Sequence, residues 1–120
     1  MKLKILTMLF STMIVSQGYA HSFNCNVSDV TISSGTPDLV YITMGCKASS
    51  PHSSGTGNCT ATTISADTVV IDGSSELGKR YFSMVLTALA SQKTTYISAY
   101  GTCPLESPST PLVYSMKISS

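Results

Sequence analysis

The sequence predicts a β-rich α+β domain of five strands and one helix, in the order β-β-β-α-β-β, closed by two disulfides. Three observations predict it. Five short segments are rich in β-formers, most of them alternating apolar and polar residues. One segment, from Glu76 to about Ser91, repeats its apolar residues at helical spacing. Four cysteines follow a leader-like start that would place them in an oxidising compartment.

The leader comes first. Lys2 and Lys4 are basic, Ile5 to Val15 is apolar apart from Thr7 and Ser11-Thr12, and Gly18-Tyr19-Ala20 offers small residues for a signal peptidase. Residues 1–20 therefore read as a secretory signal peptide and 21–120 as one small domain, secreted or periplasmic. The short, Lys-led leader suggests a bacterial protein. Without Lys2 and Lys4 the formal charge turns from +1 to −1, and Lys79-Arg80 is the one basic pair left. Electrostatic binding of nucleic acid or anionic lipid is not expected from that balance. No second apolar stretch approaches the length of a membrane span.

Phe23 to Ser34 reads as the first strand, with a phase slip at Ser28-Asp29 that suggests a β-bulge. Ser34 to Asp38 is a turn by composition, and Leu39 to Cys46 is the second strand, so the two should form a hairpin. Lys47 to about Thr60 is a polar loop. Thr68 to Ile71 is a short buried third strand whose start could extend back toward Thr60.

Ser74 or Ser75 can cap a helix, with Glu76 at its positive end. Leu77, Tyr81, Met84, Val85, Ala88 and Leu89 form its apolar face, widened by Phe82 and Leu86, which predicts cover on more than one side. Thr94 to Gly101 is the fourth strand, Pro104 to Pro111 a Pro/Ser-rich loop, and Leu112 to Ile118 the fifth strand. This order is that of the OB-fold, a small Greek-key barrel plugged by its helix. A three-plus-two α+β sandwich gives the same string.

Four cysteines allow three pairings. Cys25 and Cys46 come close to facing each other across the hairpin, and Cys59 and Cys103 flank the third strand, helix and fourth strand. Cys25–Cys46 and Cys59–Cys103 is the pairing this favours. Two histidines and no Cys-x-x-Cys argue against a zinc site, and no metal or cofactor is expected.

No catalytic constellation emerges. His21 would be the new amino terminus and His52 lies in the polar loop, while Asp67 reads as a turn residue and Asp72 as a helix-start residue. The glycine-containing loop from Gly45 to Gly57 does not lead into a helix, so it is no phosphate loop. Asn26-Val27-Ser28 and Asn58-Cys59-Thr60 match the N-glycosylation triplet, which carries no meaning in a bacterial protein. Tyr41, Tyr81, Tyr96, Tyr100 and Tyr114 are spread over strands and helix, where tyrosines can stack on sugar rings or serve as ordinary half-buried strand residues.

Thr68 to Ile71, Gly78-Lys79, Tyr81 to Met84, Leu86, Leu89-Ala90, Thr95 to Ile97 and Gly101-Thr102-Cys103 carry a resemblance. This block resembles small secreted bacterial proteins with a helix of the pattern GKxxxSxxLxAxxxGK. It is also similar to the B subunits of AB5 toxins, of the subtilase-cytotoxin and typhoid-toxin binding type. The resemblance implies an OB-fold subunit in a homo-pentamer that binds cell-surface glycans, often sialylated, beside an enzymatic A subunit. It implies Ser28 as a sugar contact near the start of the first strand, with Asp29 standing where a small residue is expected. With Tyr100 these are the candidate ligand-binding residues. The competing expectation is a monomeric protein-binding domain, an inhibitor or envelope factor, using the loops 47–60 and 104–111. An enzyme is the third expectation and lacks a converging acid, base and nucleophile.

Overall fold

A computed structural model describes residues 21–35, 38–49, 59, 64–99 and 102–119. The expected signal peptide lies outside them, as do Tyr100 and most of the 47–60 loop. The elements are β1 (His21–Cys25), β2 (Val27–Ser33), β3 (Leu39–Met44), β4 (Thr68–Asp72), α1 (Glu76–Ser91), β5 (Thr95–Ala99) and β6 (Val113–Ile118).

Two expectations are corrected. The described residues form six strands rather than five, and these make two three-stranded sheets, β1-β5-β6 and β2-β3-β4, that do not close into a barrel. The expected first strand divides at Asn26. Its first part pairs with β5, Phe23 opposite Ile97, and its second with β3, Val30 opposite Ile42. Between β4 and β6 there is a single parallel bridge, Val70 to Leu112, supported by Val70 N–H donating to Pro111 O at 2.9 Å. Pro111 has no N–H to give in return, so the ladder stops there.

The expected bulge is present as a register shift between Val27 and Asp29. Beyond it alternate residues of β3 and β4 face inward, while in β2 only Val30 is half-buried and Ile32 is exposed. Val40, Ile42 and Met44 of β3 and Val69 and Ile71 of β4 are buried in one cluster with Phe23, Ile97 and the helical Val85 and Ala88. The apolar face of α1 is narrower than its sequence suggests. Gly78, Val85 and Ala88 are buried, and Tyr81, Phe82 and Leu89 are half-buried, whereas Leu77 and Leu86 are exposed.

The helix begins where its sequence says it should. Ser75 is the N-cap: its Oγ accepts the Gly78 N–H at 2.9 Å and donates to Asp72 O at 2.9 Å. The turn before it is tied by Asp72 Oδ1, which accepts from Ser74 N–H at 3.0 Å and Ser74 Oγ at 2.6 Å. Ser75→Ala is expected to cost ~1 kcal/mol, the usual worth of a serine cap. Thermal unfolding should show a midpoint lower by roughly 4–8 °C, and an unchanged midpoint would remove Ser75 from the role.

At its other end α1 stops on Gln92, the one non-glycine residue with positive φ among those described (φ 55°, ψ 30°). Glycine is preferred in that conformation. Gln92 adds bonds that glycine lacks. Its Nε2 donates to Leu89 O at 2.7 Å and Val27 O at 3.4 Å, and its Oε1 accepts from Asn26 Nδ2 at 2.8 Å. Asn26, the joint between the two sheets, also accepts the Gly45 N–H at 2.8 Å through its backbone oxygen. Cys25–Cys46 bridges the same joint, and Cys59–Cys103 is buried.

Candidate functional site

Partners across an antiparallel ladder project to the same side of a sheet. In β2-β3-β4 the pairs are Asp29 with Thr43, Thr31 with Tyr41, and Thr43 with Thr68. These five residues therefore share the outer face, opposite the buried Ile42 and Val69. All five are exposed or half-buried. The outer face of β4 is covered only further along, where Val70 is buried beside Leu112.

A hydrogen-bonded row crosses this face. Ser28, exposed at the bulge, donates its hydroxyl to Thr43 O at 3.1 Å. Thr43 Oγ1 lies 3.4 Å from Thr68 Oγ1, and Thr68 donates its hydroxyl to Asp67 Oδ1 at 3.0 Å. Ser65 Oγ reaches the same Asp67 oxygen at 3.4 Å. Asp67 is held in place by its backbone, whose oxygen accepts the Met44 N–H at 2.8 Å. Its side chain then borders a shallow hollow of about 230 Å³ lined also by Met44, Gly45, Cys46 and Lys47. On the edge strand, Asp29 Oδ1 accepts the Val30 N–H at 3.0 Å.

Of the three ligand-binding residues expected from the sequence, Ser28 and Asp29 stand together on β2, while Tyr100 lies outside the described residues. Thr43, Thr68 and Asp67 were not expected. The available signal was parity: Thr43 takes the phase opposite to Ile42 and Met44, as Thr68 does to Val69. The aromatic neighbour on this face is Tyr41, one pair along from Thr43.

A second hollow, of about 120 Å³, lies between the start of α1 and β4 and is lined by Ile71, Asp72, Ser75, Leu77, Gly78, Tyr81, Leu112 and Val113. Its polar groups are already used within the fold: Ser75 caps the helix, and the Tyr81 hydroxyl donates to Tyr114 O at 2.6 Å. Among the described residues no group of three or more His, Cys, Asp or Glu could hold a metal, and no helix is long and apolar enough to cross a membrane.

No protein-family model matches the chain, and neither a curated protein nor a solved structure matches it significantly.

Proposed function

We propose that the protein is an exported, non-enzymatic binding module of toxin B-subunit type that recognises cell-surface glycans through the outer face of β2-β3-β4. The observation that carries this reading is the row from Ser28 through Thr43 and Thr68 to Asp67, with Asp29 and Tyr41 beside it. A sugar ring needs polar groups for its hydroxyls and an apolar surface for its C–H face, and here both lie on one rigid sheet. Two disulfides suit a secreted or periplasmic domain.

An OB-like strand order fits the same reading. β1 runs on into β2 through Asn26, and the isolated Val70–Leu112 bridge lies just before β6, two links between the separate sheets that support an OB-like order. The edge of β2 away from β3 is where copies of the chain could join as a homo-pentamer on which an enzymatic A subunit would sit.

A glycan array probed with folded protein at high loading tests the reading. Binding to a galactosylated or sialylated structure is expected. Asp29→Ala should weaken the responding structure about ten-fold, the worth of one charge-assisted hydrogen bond. A blank array from a folded sample would end the proposal.

A further inference from the structure

We infer that the Ser28 face selects an uncharged, hydroxyl-rich glycan and disfavours a sialylated one; this rests on the glycan-binding reading above. The argument follows the protons. The Ser28 hydroxyl spends its single proton on Thr43 O. Thr68 spends its own on Asp67 Oδ1. The contact between Thr43 and Thr68 must then use the proton of Thr43, since Thr68 has none left. All three hydroxyls commit their protons to partners within the fold and keep only lone pairs for a ligand.

The flanking carboxylates have the same character. Asp29 and Asp67 each use Oδ1 on the bonds described, and neither Oδ2 has a partner among the described residues. An ionised carboxylate only accepts. This end of the face is therefore a surface of acceptors, and its ligand must bring the protons. Sugar hydroxyls do so, and their bonds to a carboxylate are charge-assisted.

A sialic acid carboxylate brings a negative charge and no proton. Around Ser28 it would meet Asp29 and Asp67, both of like charge. Lys47 shares the hollow with Asp67 and has no carboxylate within ion-pair distance among the described residues, and Lys93 follows Gln92, which bonds Val27 O one residue before Ser28. The two carboxylates are bonded into the row and its edge strand, whereas neither lysine is held against them by an ion pair, so this end is not preorganised for an anion. Hydroxyl donors begin again at Thr31 and Tyr41, one pair along β2 and β3, roughly 7 Å away at the usual strand rise. That spacing suits a neutral ring whose hydroxyls donate at one end and accept at the other.

The experiment uses a matched pair of immobilised probes: a sialylated galactose-terminated N-glycan and the same glycan trimmed with sialidase. Binding of the full folded chain to both is measured in one titration. The trimmed glycan is expected to bind at least ten-fold more tightly. Asp67→Asn and Asp29→Asn together should narrow that preference to about two-fold or less, with thermal unfolding reporting whether the variant is folded. Single substitutions serve if the double variant does not fold. Tighter binding of the sialylated probe overturns the inference but leaves the glycan-binding reading standing. A preference unmoved by the folded variants also overturns it, because the selectivity then lies elsewhere. Binding of neither this pair nor any array glycan overturns the glycan-binding reading as well.

Discussion

Gly78→Ala is expected to lower the thermal midpoint by more than about 10 °C, although alanine is the better helix former by roughly 1 kcal/mol. The reason is space. A β-carbon at Gly78 would lie 1.7 Å from the backbone oxygen of Asp72 and 2.8 Å from Ser75 Oγ. Backbone cannot swing aside as a long side chain can, so the first turn of α1 must lift off the end of β4. Lifting it also breaks the cap, because Ser75 Oγ binds both Gly78 N–H and Asp72 O. Overpacking of this kind costs ~3 kcal/mol, and the gain in helix propensity offsets only part of it. Gly73→Ala is the comparison. There the nearest atoms are Asp38 O at 3.2 Å and Val40 Cγ2 at 3.3 Å, and a shift of a few tenths of an ångström makes room. Calorimetry of the two variants should rank Gly78→Ala far below Gly73→Ala. Equal midpoints would show that α1 does not sit as closely on β4 as described.

Replacing Cys59 and Cys103 by alanine is expected to be the more damaging of the two disulfide deletions. The bond spans 44 residues of sequence, against 21 for Cys25–Cys46. Chain-entropy arguments value these at about 4 and about 3 kcal/mol. A small domain has only about 5–15 kcal/mol in hand, so loss of the longer bridge leaves it at the margin at 37 °C. Burial sets the order of reduction in the native protein. Cys59 and Cys103 are fully enclosed, while Cys25 and Cys46 are half-buried at the joint. A dithiol titration followed by alkylation and peptide mapping should find Cys25 and Cys46 labelled first. Labelling of Cys59 and Cys103 first, in protein that is still folded, would contradict the burial described here.

The elements with local causes were readable from the sequence. The helix from Glu76 to Ser91, its serine cap, the bulge after Val27 and the cores of the later strands all follow from spacing and residue type within a few positions. The Cys25–Cys46 and Cys59–Cys103 bonds followed from strand neighbours. Breakage of the first strand at Asn26 was not readable. Nothing near Asn26 records that Phe23 will pair with Ile97 while Val30 pairs with Ile42. The lack of further pairing between β4 and β6 depends likewise on where Pro111 meets Val70. The width of the helix face was overread for a related reason. Leu77 and Leu86 are apolar at helical spacing, but cover depends on which neighbours arrive, and few arrive there.

The site divides in the same way. Ser28 and Asp29 came from a resemblance tied to the start of a strand. Thr43, Thr68 and Asp67 join them only through cross-strand register, which one strand's sequence does not contain.

The Asn26 joint bears on how the molecule comes apart. The end of the helix, both sheets and one covalent bridge converge on a single bend, through Gln92, Gly45 and Cys25–Cys46. Neither sheet can peel away while the other persists, because each is anchored to the same few atoms. Amide exchange in β1 and in β2 should therefore be governed by one shared global opening, so that two layers with separate hydrogen-bond ladders melt as one cooperative unit.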